Sequence, residues 1–147
     1  MPPDRTRVSC VRDTAGVVPD NVETVRRAWE LGRTDIDAFV DRYLHPEIEW
    51  ETRWPGLEPW FYGREGVREW VRQVLQPMEM TTDLLDARAI AHDRVLAKLR
   101  AHGRGRGSEV PAEMTIFDVY WLRDGQIFRR RTFYSEQEAL EAAAEGH

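Results

Sequence analysis

The stretch IDAFVDRYLHPEIEWET, residues 36–52, changes its period in the middle. In its first half Ile36, Phe39, Val40, Tyr43 and Leu44 recur at i, i+3, i+4, i+7 and i+8, the stripe of a helix with one buried face. His45-Pro46 stops that helix, because proline lacks the N–H to continue the ladder and restricts the residue before it. Beyond the proline the period falls to two, with Ile48 and Trp50 on one side and Glu49 and Glu51 on the other, which predicts a short strand over 47–52. A helix running straight into a strand points to helices packed on a sheet, an α+β fold.

Working outward, Asp20-Asn21-Val22-Glu23 resembles a capping box, and Val22, Val25 and Trp29 share one helical face after it. Gly32 is read as closing this first helix, and Thr34 or Asp35 as capping the second. Residues 53–63 read as an irregular loop carrying Trp54, Trp60, Phe61 and Tyr62. A third helix over 65–76 repeats the stripe with Val67, Trp70, Val71, Val74 and Leu75, and Pro77 stops it. From Met80 onward the period is two. Strands are predicted near 80–91, 94–102, 109–122 and 126–134, with turns at His92-Asp93, over 103–108 and at Arg123-Asp124-Gly125, and a last helix over 135–144. The Gly-Arg-Gly-Arg-Gly run from Gly103 is a hairpin loop and not a phosphate cradle, since no helix follows it. Residues 1–18 have no sustained period and read as a flexible leader to a single domain over 19–147.

The bulk composition fits one core: 147 residues, 41% apolar and 10% aromatic. A net charge of −5 argues against nucleic-acid binding, which needs basic surface. No apolar run approaches the ~20 residues that span a bilayer, and the arginine-bearing N-terminus has no hydrophobic stretch behind it. The expectation is a cytoplasmic protein without a membrane partner. Cys10 is the one cysteine, which excludes an internal disulfide or a cysteine metal site. His45, His92 and His102 have no partner histidine at ligand spacing, and there is no nucleophile elbow, so no metal site is expected.

Four short motifs carry a family resemblance. They are Arg33-Thr34-Asp35-Ile36-Asp37, the YLHPEIEW passage over 43–50, Tyr62-Gly63-Arg64-Glu65-Gly66-Val67, and Leu122-Arg123-Asp124-Gly125-Gln126-Ile127. In that order and spacing the chain resembles the nuclear transport factor 2-like superfamily, of the SnoaL-like and ketosteroid-isomerase-like kind, from about Asp20 to Ala144. The resemblance implies a cone-shaped barrel, with three N-terminal helices packed on a strongly curved, mostly antiparallel sheet around a small-molecule pocket. Ketosteroid isomerases use a base at the end of the first strand, and an oxyanion hole made by a tyrosine on the first helix and a protonated aspartic acid on a late strand. Carried over by position, the base falls on Glu51 and the acid on Asp118, while the tyrosine position holds Arg27. Without that phenol a steroid isomerase is not expected.

Asp118 lies in MTIFDVYW, residues 114–121, and shares a strand face with Met114, Ile116 and Tyr120. A carboxyl in so apolar a strand must be paired, hydrogen-bonded or neutral. Unpaired, it is an acid or oxyanion donor, or a desolvated base. Paired with an arginine of the next strand, such as Arg129 or Arg131, it is structural, and a guanidinium gripping its oxygen pair ends the catalytic reading. For Glu51 the alternation of its strand points to water and the positional count points to the pocket; a one-residue slip reverses every side chain, so both stay open. Trp29, Trp50, Trp54, Phe61, Met114 and Tyr120 are the candidate ligand-binding wall, against a plain core role for the same rings. Arg129-Arg130-Arg131 reads as a solvated or dimer-facing sheet, against an anion site. Phe117, Val119 and Trp121 make the outer face of the sheet apolar too, which predicts a homodimer.

The function expected is acid–base chemistry without metal or organic cofactor on a hydrophobic polyketide- or terpenoid-like ligand: isomerisation, cyclisation, dehydration or epoxide opening. Asp118 would be the acid and Glu51 the base. The alternative is a non-catalytic binding or dimerisation module, which the arginine at position 27 favours.

Overall fold

Helix α1 (Asn21–Thr34) starts where Asp20 accepts a hydrogen bond from the Glu23 N–H at 3.2 Å, which satisfies one of the unpaired donors of its first turn. The computed structural model describes residues 20–53, 59–103 and 112–145; the predicted leader, Trp54 and most of the Gly-Arg-Gly-Arg-Gly loop lie outside them. Gly32 does not end α1. It sits inside the helix beside the Phe39 ring, and the chain turns only at Asp35, whose side chain accepts from Ala38 N–H and caps α2 (Ile36–Tyr43). Strand β1 (Leu44–Glu51) follows directly, through His45-Pro46. Residues 60–62, expected as loop, form strand β2 (Trp60–Tyr62), antiparallel to β1 with Phe61 opposite Trp50. Helix α3 (Gly63–Trp70) continues as one π-helical stretch, Val71–Leu75, before Pro77. Arg68 of α3 ties it to α2 through Asp37 at 2.7 Å and Asp41 at 2.9 Å.

Strands β3 (Thr81–Ala91), β4 (Arg94–Gly103), β5 (Ala112–Arg123) and β6 (Gln126–Phe133) form the meander, and α4 (Glu136–Ala144) ends the described chain. The sheet order is β2-β1-β6-β5-β4-β3, antiparallel except where β1 runs parallel to β6. It is curved and unclosed, bent at bulges in β1–β6, β3–β4 and β5–β6. The last hairpin turns on Asp124 (φ 53°) and Gly125 (φ 80°), both left-handed, as a two-residue turn matched to strand twist requires.

Two apolar layers result. On the inner face Val25, Val40, Ile48, Trp50, Val67 and Ile127 pack among α1, α2, α3 and the sheet. On the outer face Leu96, Val119, Trp121 and Phe133 pack under Ala139, Ala142 and Ala143 of α4. This corrects the expected exposed stripe. Val119 and Trp121 are 0% and 1% exposed in the single chain, because its own last helix covers them. No described helix is long and apolar enough to cross a membrane.

Candidate functional site

Between the helices and the inner face of the sheet lies a cavity of about 400 Å³. Alternation along the strands decides what enters it. On β5, Met114, Ile116, Asp118 and Tyr120 point inward; on β6, Ile127, Arg130 and Thr132 do. Trp29 from α1, Phe39 from α2, Trp50 from β1 and Trp70 from α3 complete an aromatic wall, with Trp50 edge-on to both Phe39 and Trp70.

The polar group at its floor is built from register. Asp118 lies opposite Thr132, and Tyr120 opposite Arg130, so the Asp118 and Arg130 side chains meet diagonally on one face. Asp118 Oδ2 accepts from Arg130 Nε at 3.3 Å and from the Tyr120 hydroxyl at 3.2 Å. The pair is nearly dry, with side chains 2% and 6% exposed. Arg130 is held independently: its Nη1 donates to the Glu51 carbonyl at 3.0 Å, and its Cζ lies 4.4 Å from the Trp50 ring centroid and 5.1 Å from that of Trp70. Burial, and then the neighbouring Asp118 charge, push the Tyr120 phenol far above its ordinary range, so it acts as a hydrogen-bond donor. One acceptor is left over. Asp118 Oδ1 is buried without a hydrogen-bond partner among the described residues, and the indole N–H groups of Trp50 and Trp70 are likewise unpaired.

Several expectations change. Asp118 is not the unpaired acid the neutral-acid role requires; it carries a counter-ion. That counter-ion is Arg130, and neither Arg129 nor Arg131. Arg129 lies opposite Trp121 and Arg131 opposite Val119, both outer-face residues. Glu51 is buried, not solvated, yet it does not enter the cavity, which its neighbours Trp50 and Thr52 line. Its Oε1 accepts from Thr132 N–H at 3.1 Å and Arg53 Nε at 3.3 Å, and its Oε2 lies 3.5 Å from Arg131 Nε. Glu51 is therefore occupied on the far side of the strand from Asp118. Trp29, Trp50, Met114 and Tyr120 line the cavity as placed from sequence; Phe61 does not, being packed into the helical core against Gly66. Trp54 lies outside the described residues. Arg27 is exposed and pairs with Glu23, not with the site. Arg130, Trp70, Thr132 and Arg33 are cavity residues that the sequence reading did not assign to it.

Among the described residues no group of histidine, cysteine, aspartate and glutamate side chains could hold a metal ion. His102 instead lies between Asp83 (3.3 Å) and Glu113 (3.1 Å) across three strands.

A family profile described as the SnoaL-like domain matches residues 22–130, most of the chain. No curated protein matches it. Among solved structures, TerC co-crystallised with polyporic acid is similar at 20% identity and a TM-score of 0.66, over 86% of this chain and 98% of that one. A Mycobacterium tuberculosis protein in complex with estradiol-17β-hemisuccinate is similar at 13% identity and a TM-score of 0.65, over 80% and 95%. A protein of Jannaschia sp. CCS1, provisionally named a SnoaL-like polyketide cyclase, is similar at 17% identity and 0.65, over 92% and 99%. Identities this low establish shared architecture alone.

Proposed function

Because the chain belongs to the SnoaL-like family of the nuclear transport factor 2-like superfamily, we propose that it binds a hydrophobic, ring-bearing small molecule, polyketide- or terpenoid-like, in the cavity under its helices. The ligand sets a hydrogen-bond donor, a hydroxyl or enol, against Asp118. One observation carries this reading: Asp118, which lines the ring-walled cavity, has a carboxylate oxygen, Oδ1, buried just beneath the cavity surface without a donor among the described residues. Leaving such an acceptor unmet costs about 1–3 kcal/mol, which a ligand hydroxyl would recover. Relatives seen with polyporic acid and with an estradiol derivative support the size and character of the ligand.

The test uses matched pairs of polycyclic phenols and their methyl ethers, by calorimetry. The phenol binds at least about tenfold tighter in wild type, and the gap closes in Asp118→Asn. Equal binding of phenol and ether to wild type would sink the assignment of Oδ1.

A second reading, proton transfer by the same oxygen, draws on the cyclase name of a relative and on donors, Tyr120 and Arg130, beside the acceptor. In it Asp118 is the base and not a neutral acid. Glu51, engaged behind the strand, takes no part. The discriminating measurement is exchange of α-protons of a bound polycyclic ketone with D2O: enzyme-dependent exchange lost in Asp118→Asn supports catalysis, and binding without exchange supports the simple pocket. The assembly we infer is a homodimer through the outer face, where Ile90, Phe117 and Phe128 stay partly exposed beside α4. A monomer mass by light scattering would overturn it.

A further inference from the structure

The outer face of the sheet carries a second concave surface, a cleft of about 410 Å³ at the end that holds the β3–β4 and β5–β6 turns. Strand register builds it. Tyr62, Glu49, Arg129, Trp121 and Arg94 are successive cross-strand partners along β2, β1, β6, β5 and β4, so they form one row on one face. The last four of them line the cleft. The Arg129 Cζ lies 5.3 Å from the Trp60 ring centroid and 5.5 Å from that of Trp121, and the Arg94 Cζ lies 5.9 Å from the latter.

The charges of this cleft balance, Arg94, Arg123 and Arg129 against Glu47, Glu49 and Asp93. His45 accepts the Glu47 N–H on its Nδ1 at 3.0 Å, as a neutral ring does. Yet the charges do not satisfy one another. Arg94 Nε stands 3.6 Å from Asp93 Oδ1, and Arg129 Nε 3.6 Å from Glu49 Oε1, near enough to attract and too far for a hydrogen bond. Both Nε atoms, Asp93 Oδ1 and the indole N–H of Trp121, a residue 1% exposed, are buried without a hydrogen-bond partner among the described residues. A carboxylate entering here would meet three acids, and an ammonium three guanidiniums. A hydroxyl donates and accepts at once, so it can stand between a guanidinium and a carboxylate and serve both. A row of such gaps calls for several hydroxyls on one rigid frame. Opposite Glu49, Tyr62 is 64% exposed and nearly parallel to Trp60, at 16° and 6.3 Å, which leaves an aromatic surface beside the polar row. We propose that this outer cleft binds a neutral saccharide, its hydroxyls meeting the row from Glu49 to Arg94 and its C–H face lying toward Tyr62. The site is on the opposite face of the sheet from the cavity and does not depend on what the cavity binds.

The test follows the tryptophan indole N–H signals of the full chain by NMR, during titration with methyl β-D-glucoside, methyl β-D-galactoside and cellobiose. At least one of these sugars shifts the signals of Trp121 and Trp60 and leaves those of Trp29 and Trp70, in the cavity, unmoved. Tyr62→Ala, at an exposed position that folding tolerates, weakens that sugar by at least about threefold. Trp121→Phe, which keeps a ring and removes the N–H, weakens it by a similar factor of about three. Methyl β-D-glucuronide and glucosamine, the anionic and cationic counterparts, bind no more tightly than the neutral sugar. The inference is overturned if no sugar moves the Trp121 and Trp60 signals, if the shifts fall on Trp29 and Trp70 instead, or if Tyr62→Ala leaves the affinity unchanged. Tighter binding of either charged sugar would overturn the neutral class of ligand.

Discussion

Arg130 and Arg131 are neighbours in the chain and face opposite sides of one sheet. Both lie near a buried carboxylate, Asp118 at 3.3 Å and Glu51 at 3.5 Å. The surroundings differ. Glu51 Oε1 is met by a backbone N–H and by Arg53, on a face closed by α4. Asp118 keeps an oxygen unmet, on a face left hollow. Unmet groups occur on both faces: on the outer one they include donors, Arg129 Nε, Arg131 Nε and the Trp121 indole N–H, while on the inner one an acceptor, Asp118 Oδ1, is unmet beside a cavity.

Deleting each arginine in turn separates the two faces. Arg130→Ala strands a nearly dry Asp118 and removes the cation from between Trp50 and Trp70, so it lowers stability by about 3–5 kcal/mol in urea titration. Arg131→Ala, with its side chain 21% exposed and Glu51 still hydrogen-bonded to Thr132 and Arg53, lowers it by less than about 1 kcal/mol. Equal losses would abolish the distinction between the faces. Asp118→Leu combined with Arg130→Met should recover most of the loss, since an apolar pair of similar volume carries no buried charge; strictly additive losses would contradict the ion pair.

A second experiment works from the outer side. Ala139 is 0% exposed on the inward side of α4, in the layer that holds Val119 and Trp121. Ala139→Leu overpacks that layer and costs about 1–3 kcal/mol. Ligand affinity should not change, because no residue of α4 lines the cavity. An affinity change larger than about threefold would mean that the two faces are coupled through the sheet.

Tyr120→Phe sharpens the inner side. Loss of the hydroxyl bond to Asp118 costs about 1 kcal/mol near neutral pH. The pH dependence has a definite sign. The folded-state phenol titrates above its unfolded value of about 10, raised first by burial and then by the Asp118 charge. Its contribution is therefore complete below about pH 10 and is lost as pH rises beyond it, because the unfolded chain then releases a proton that the folded one keeps. Wild type should lose stability through that window more steeply than Tyr120→Phe, by urea midpoints at stepped alkaline pH. Some slope remains in the variant, since burial also raises the Tyr134 phenol. Identical slopes would mean that Tyr120 is not buried against Asp118.

Most of the fold was legible in the sequence because the signals were periodic. The stripe through Phe39 and Val40, the break at Pro46 and the alternation after Met80 each follow from local geometry. What failed was phase. Strict alternation from Ile127, which points inward, would send Arg129 and Arg131 into the pocket. The β5–β6 register slips between Trp121 and Leu122, so Ile127 and Arg130, three apart, both face inward. A bulge of one residue leaves no mark in composition, yet it exchanges the partner of the site carboxylate. The strand at 60–62 was missed for another reason: three residues are too few to display a period, and only pairing with β1 defines them. The cover provided by α4 is a tertiary contact that the apolar pattern of Phe117, Val119 and Trp121 cannot distinguish from an interface between copies.

The smallest effect concerns Arg27, where the resembling isomerases carry their phenol. Here the side chain is 70% exposed and its Nε lies 2.9 Å from Glu23, one helical turn back. A pair at that spacing, with the acid N-terminal to the base, contributes about 0.3–0.5 kcal/mol to a helix and less as salt is added. Arg27→Ala should shift the urea midpoint by no more than that and leave affinity for cavity ligands untouched, since Trp29 and Arg33, not Arg27, are what α1 turns toward the hollow. Arg27→Tyr is the stronger form of the test. If position 27 faces solvent, a phenol placed there restores no oxyanion donor and changes neither binding nor proton exchange. A gain in either would mean that α1 is rotated relative to the sheet, and that the inner face has a donor pointing at Asp118 after all.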